Sequence, residues 1–360
     1  MNSIKNRIKR QSLTRNSPIE KPDPNQYNYG QMNLSKNYKQ LAGKAGFKIS
    51  RVLHVGTYYD PDIVRDIVLL GKFRGQKAVM KISSWPEGIN EIKDILSFFK
   101  NNKSKTVTAP KVLSYKPFDG EKSWFISEFV KGTRIIPGSW PNPLSSSAEK
   151  EEMAKIYVEY IKNFRFANRP PALIESRDAA FFVKSRFFRW LDLANNSTHP
   201  KKDILLPRFD AALKILERGF KNRPLQYVHS HFSNDHIIKS KGKYYLVDFA
   251  NAGYKPELYE LGFVVWNLSF LSCWQSRVGF KRWLKETTDW ENVFLKLVAG
   301  PLNYKEREFL KLLRLNMLER CIGAILADIA ANKTRTENEK KWMLNIYLPL
   351  ADYYIKKLFR

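Results

Sequence analysis

Tyr227-Val228-His229-Ser230-His231-Phe232-Ser233-Asn234-Asp235-His236-Ile237-Ile238, followed shortly by Tyr244-Tyr245-Leu246-Val247-Asp248-Phe249, is the stretch on which the reading of this chain turns. Three of the chain's five histidines fall within the eight positions 229–236. The second segment is an apolar strand that ends in an acid. Polar groups at the end of an apolar strand point into a cleft more often than into a core, so the two segments are read as strand–loop–strand with a chemically active loop.

Outward from there, the flanking pattern divides into a strand-rich first part and a helical second part. Ile49–Val55, Val64–Leu70 and Gln76–Ile82 alternate as strands, with Gly71 and Gly75 marking a turn. Residues 87–101 read as a helix with Ile89, Ile92, Ile95, Leu96 and Phe99 on one face. Val107–Ser114 and Ser123–Val130 read as two more strands. After Gly132 a Pro- and Ser-rich segment leads into helices near 148–167, 175–194, 203–221, 257–273, 304–331 and 336–358. Glu149, Glu151 and Glu152 suit the first turn of the first of these. Residues 1–35 are polar, basic and proline-marked, and read as a disordered tail. The expected organisation is a tail over 1–35, a first lobe over 36–132 and a second over 133–360.

The loop resembles the signature of the aminoglycoside phosphotransferase and choline kinase family: His-Gly-Asp, four residues, Asn, then an apolar strand ending in Ile-Asp-Phe or Ile-Asp-Trp. His229 matches the His and Ser230 the Gly. His231 falls where the catalytic Asp belongs, and His236 where the metal-binding Asn belongs. Asp248 matches the second, metal-binding Asp. Pro256-Glu257-Leu258-Tyr259-Glu260-Leu261 looks like the family's Pro-x-x-Tyr-Asp-Leu, which makes Glu260, with His229, a support for the loop. Upstream, Ala78-Val79-Met80-Lys81 looks like the strand that carries the kinase lysine. Lys81 would then hold nucleotide phosphates, with Glu91 as its partner and Glu87 as a second candidate. Phe125–Gly132 looks like the hinge, whose backbone at Glu128, Phe129 and Val130 would meet the adenine edge. The resemblance spans roughly residues 48–265. It implies an α+β, two-lobed protein-kinase-like fold: a small antiparallel sheet lobe with one helix, and a larger, mainly helical lobe.

The departures from the signature keep three functions open. One is an ATP- or GTP-dependent phosphotransferase in which His231 replaces the catalytic Asp and Asp248 holds Mg²⁺. Mn²⁺ is an alternative ion because His236 offers nitrogen where Mg²⁺ prefers oxygen. Asp235, one residue off register, is a substitute ligand if the loop is shifted. The second function is a catalytically inactive kinase-like protein that binds a nucleotide or partner. The third is a transition-metal protein using His229, His231, His236 and Asp248. Val55-Gly56-Thr57-Tyr58-Tyr59-Asp60, at the place of the phosphate-covering loop, has one glycine where protein kinases have three.

Composition constrains the partners. Lys and Arg total 62 against 35 Asp and Glu, a net charge of +27. The first 30 residues hold six basic and two acidic side chains, +4, and the remainder carries the other +23. Such an excess disfavours a polycationic acceptor such as an aminoglycoside and favours a neutral or anionic hydroxyl compound; a basic proteome is the plainer explanation. No specific nucleic-acid motif is present. No apolar run is long enough to cross a membrane, and no secretory signal is visible. Two cysteines, Cys273 and Cys321, both in apolar helical patterns, fit a reducing cytoplasm. Oligomeric state is not encoded in any of these features.

Overall fold

The structure, a computed structural model, describes residues 36–57, 64–84, 88–117, 122–136, 145–164, 178–195, 202–276, 279–333 and 336–359. The basic tail, Tyr58–Asp60, Glu87 and the proline-rich segment 137–144 lie outside the described residues.

The first lobe is built on a five-stranded antiparallel sheet. Its strands are β1 (Phe47–Thr57), β2 (Val64–Phe73), β3 (Gln76–Ser83), β5 (Val112–Lys116) and β6 (Ser123–Glu128), in the order β1-β2-β3-β6-β5. Apolar residues of alternating strand positions, among them Leu69, Met80, Ile82 and Ile126, form this lobe's own core. A short helix, α1 (Lys36–Lys44), packs on β1. Its apolar content is too small for the sequence pattern to have marked it.

Helix α2 (Gly88–Asn101) follows β3. It buries Ile92, Ile95 and Phe98, whereas Leu96, expected on that face, is 39% exposed. Phe98 takes the inward place and lies against Phe249, with centroids 5.7 Å apart. The helix therefore belongs to the larger core of the second lobe as much as to its own sheet.

The single strand expected over 107–114 is two. Pro110 lies in the break between β4 (Val107–Thr108) and β5. β4 leaves the first sheet and pairs in parallel with β9 (Lys243–Leu246), which is antiparallel to β8 (Ile237–Ser240). One ladder thus ties the strand-rich half of the sequence to the hairpin behind the active loop. A second tie is the bridge between Thr133 and Lys239. It requires glycine at 132, because a Cβ there would collide with the Lys239 carbonyl oxygen.

The second lobe is helical, as expected. It contains α3 (Ser147–Phe164), α4 (Ala179–Asn195), α5 (Lys202–Phe220), α6 (Tyr259–Ser276), α7 (Phe280–Phe294), α8 (Glu306–Gly323) and α9 (Glu337–Phe359). α3 starts in a capping box: the Ser146 N–H donates to Glu149 at 2.7 Å, and the Glu149 N–H to Ser146 Oγ at 3.3 Å. The helix expected to run through 331 is α-helical only to Gly323 and widens to π geometry over Ala324–Ala331. In α4, Val183, Phe187 and Trp190 are buried while Lys184 and Arg189 face water, a core stripe with a basic outer face. Cys321 is a buried free thiol. Among the described residues, no helix is long and apolar enough to cross a membrane.

Candidate active site

Two strand ends deliver the site. β7 (Leu225–Val228) pairs antiparallel with β10 (Gly253–Pro256), and the loop 229–236 leaves its end. β9 ends at Leu246, two residues before Asp248. Both loops emerge beneath the first lobe, where β3 and α2 present Lys81 and Glu91.

Lys81 spans the crevice. Its ammonium lies 3.0 Å from Glu91 and 2.5 Å from Asp248 Oδ1. Burial alone would lower the Lys81 pKa, but Asp248 and Glu91 outweigh it and hold the group well above its usual value. Burial raises Glu91 to about 7 despite the stabilising lysine. Burial also acts to raise Asp248, yet Lys81, His231 and His236 keep it well below the usual carboxylate range. The lysine is therefore cationic and the Asp248 carboxylate ionised at neutral pH.

The other oxygen of Asp248 faces the histidines. His231 Nδ1 is 3.4 Å from Asp248 Oδ2, and His236 Nε2 is 3.5 Å from it. The two imidazoles are near-parallel, with centroids 5.4 Å apart, and Phe263 stacks on His231 at 5.0 Å. His236 Nδ1–H donates to the His231 carbonyl at 2.9 Å, with Ser233 Oγ at 3.1 Å. Asn251 Nδ2 lies 3.1 Å from His231 Nδ1. Burial lowers the His231 pKa to about 4, so this ring is neutral at physiological pH.

Other expected site residues take different places. Asp235 turns away and pairs with Arg134 at 3.1 Å; the loop is not shifted, and this acid does not substitute for His236. His229 does not join the other two histidines. It is fully buried, donates from Nε2 to the Val247 carbonyl at 3.0 Å, and is pushed down to about 3, first by burial. It thereby ties the loop to the strand that carries Asp248. Glu260 accepts from the Ser230 N–H at 2.7 Å and from Tyr160 Oη at 3.0 Å, while Tyr160 accepts from the His229 N–H at 2.7 Å. Burial raises Glu260 to about 8.

Ser230 has φ +70° and Asp248 has φ +63°. For Ser230 this explains the family's glycine: a side chain in the left-handed region costs about 1–2 kcal/mol. At the hinge, the Glu128 N–H pairs with Lys111 at 3.0 Å and the Phe129 N–H with Lys77 at 3.4 Å. Of the three expected adenine contacts, the Val130 N–H is the one left without a backbone partner among the described residues.

Four further residues could not be read from the sequence. Asn234 holds the Ile136 backbone through both amide atoms, at 2.8 and 3.2 Å, and so pins the interlobe linker to the loop. Asn251 and Tyr160 reach the loop from segments with no motif of their own. His54 on β1 stands in the electrostatic field of Asp66, Asp248, Lys81 and His236. It lies directly before the glycine-poor loop, at an exposed position of β1 that the strand's alternation does not single out.

The donor set suits a nucleotide better than it suits Mg²⁺. Lys81 and Glu91 fit the phosphate-holding role by charge and position. Mg²⁺ favours an octahedron of oxygens, and here one carboxylate is accompanied by two imidazoles.

The phosphotransferase enzyme family matches residues 68–294, more than half of the chain. No curated protein matches it in sequence. Among solved structures it is similar to a choline kinase from Cryptosporidium parvum Iowa II, with 13% identity, TM-score 0.59, and 88% of this chain and 94% of that one covered. It is also similar to the aminoglycoside phosphotransferase APH(4)-Ia in a ternary complex with ADP and hygromycin B, with 14% identity, TM-score 0.53, and 89% and 98% covered. An amicoumacin kinase in complex with AMP-PNP, Ca²⁺ and its ligand gives 12% identity, TM-score 0.52, and 89% and 94% covered. At these identities the likeness is one of fold: the two-lobed, kinase-like architecture.

Proposed function

The chain belongs to the phosphotransferase enzyme family, and from that premise we propose that it transfers the terminal phosphoryl group of ATP or GTP to a hydroxyl of a small molecule. The observation that carries this reading is the Lys81 ammonium held between Glu91 and Asp248 across the crevice. A cation fixed at that point meets the nucleotide phosphates, and Glu91 keeps it in place. The Val130 N–H is the group left to meet the adenine edge.

His231 orients the acceptor. Its Nδ1 is turned to Asp248 and Asn251, which leaves Nε2 for the hydroxyl. A ring lowered to about 4 is a weak base, so its contribution is positioning rather than early proton removal. Phosphoryl transfer tolerates this, because its transition state is loose and positioning plus charge neutralisation dominate. The acceptor is neutral or anionic, since a body of net charge +23 repels polycations.

A second reading has a specific observation in its favour. No loop carboxylate takes the catalytic acid's place, because Asp235 is engaged by Arg134. The chain would then bind nucleotide without transferring its phosphate. Nucleotide titration followed by calorimetry, paired with an ATP turnover assay over hydroxyl compounds, separates the two. Binding with acceptor-dependent ADP release supports transfer, binding without release supports the second reading, and absence of binding refutes both.

A further inference from the structure

The two oxygens of Asp248 are divided between two chemistries. Oδ1 receives the Lys81 ammonium, and Oδ2 faces His231 Nδ1 and His236 Nε2. The His231 carbonyl can only accept, so the 2.9 Å contact places the His236 proton on Nδ1. Its Nε2 faces a carboxylate oxygen 3.5 Å away. Asn251 Nδ2 lies against His231 Nδ1 at 3.1 Å. Three potential ligand atoms, two ring nitrogens and one carboxylate oxygen, thus converge. The three ligand atoms lie within 4.8 Å of one another.

We propose that His231 Nδ1, His236 Nε2 and Asp248 Oδ2 form a three-ligand site for one transition-metal ion of the Zn²⁺ or Co²⁺ type, filled without nucleotide. Two ligands each about 2.0–2.1 Å from a tetrahedral ion stand about 3.4 Å apart, and the two nitrogen-to-Oδ2 separations are 3.4 and 3.5 Å. The His236 Nδ1–H bond to the His231 carbonyl leaves Nε2 as that ring's coordinating nitrogen. The bond from His236 Nδ1–H to a backbone carbonyl is the outer contact that metal-binding histidines use to fix ring and tautomer. Phe263 clamps the His231 plane from the far side. Three protein ligands leave a fourth position for water or an oxygen of a bound phosphate. His229 is excluded, because its Nε2 is spent on Val247 and it is fully buried.

This proposal stands on the geometry of three side chains and does not require the phosphotransferase reading. It is tested on metal-free, tag-free, full-length protein by titration with Zn²⁺, Co²⁺, Mn²⁺ and Mg²⁺ in the absence of nucleotide. Expected is one ion per chain, with affinity rising from Mn²⁺ through Co²⁺ to Zn²⁺, Mg²⁺ at least about tenfold weaker than Zn²⁺, and a visible Co²⁺ spectrum of a nitrogen-ligated ion. His236→Asn, which keeps the size of the side chain, and His231→Asn should each weaken Zn²⁺ by about tenfold or more. Lys81→Met should retain Co²⁺ while losing nucleotide, so failure of the nucleotide reading leaves this result untouched. Equal affinity for Zn²⁺ and Mg²⁺, no binding without nucleotide, or Zn²⁺ affinity unchanged in both histidine variants would overturn it.

Discussion

The two walls of one crevice differ in how far they depart from the family pattern. On the phosphate wall, Lys81, Glu91 and Asp248 keep the cation and carboxylates of a kinase, joined within 3.0 Å. On the proposed acceptor wall, a few ångströms away, His231 and His236 stand at the positions that match the family's acid and amide. Behind that wall the loop is braced by His229 to Val247 and by Glu260 to Ser230. The two walls thus differ in their donor atoms while sharing one bracing layer.

The largest test strikes the phosphate wall. Lys81→Met should abolish nucleotide binding and lower stability by about 3 kcal/mol, because Glu91 stays buried with its partner removed. Urea denaturation reads this, and a loss under about 1 kcal/mol would show that the pair is not the crevice's anchor. Next, restoring oxygen donors on the acceptor wall by His231→Asp with His236→Asn should raise Mg²⁺-dependent turnover about 10²-fold, the usual contribution of a well-placed acid–base group. No increase would mean that the two walls differ for a reason other than ligand chemistry.

The bracing layer makes a smaller, pH-dependent contribution. Below about pH 4.5, Glu260 is protonated in both folded and unfolded chains. Between about 4.5 and about 8 only the folded state keeps the proton. Raising pH through that window therefore favours unfolding and lowers stability. Glu260→Gln should flatten this part of the profile, as followed by melting temperature against pH; an unaltered slope would place the ionisation elsewhere. The smallest effect belongs to Asp235→Asn. Loss of its surface pair with Arg134 should cost less than about 1 kcal/mol and leave metal binding unaltered, as measured by the same titrations; a lost ion would return Asp235 to the site.

These walls were unequally legible in the sequence. Lys81 lies within β3, Glu91 within α2 and Asp248 just after β9, so spacing along regular elements places each of them. His231 and His236 were found for the same reason, but their joint orientation toward one oxygen of Asp248 depends on side-chain rotation. His229, read as a loop support from the resemblance and as a ligand only in the third alternative, is buried against Val247, and adjacency in sequence could not decide between the two. The strand expected over 107–114 failed at Pro110, where β4 left to pair with β9, a non-local choice invisible to local alternation. Asn251, Asn234, Tyr160 and His54 act across distances that no single-segment pattern records.

The central claim is that Lys81 and Asp248 form one nucleotide-binding crevice. Calorimetric titration of ADP with a divalent cation into the wild-type chain, Lys81→Met and Asp248→Asn tests it most directly. Saturable binding to the wild type, weakened by about tenfold or more in each variant, is the predicted result. Wild-type binding that neither substitution weakens, or no binding at all, would contradict it.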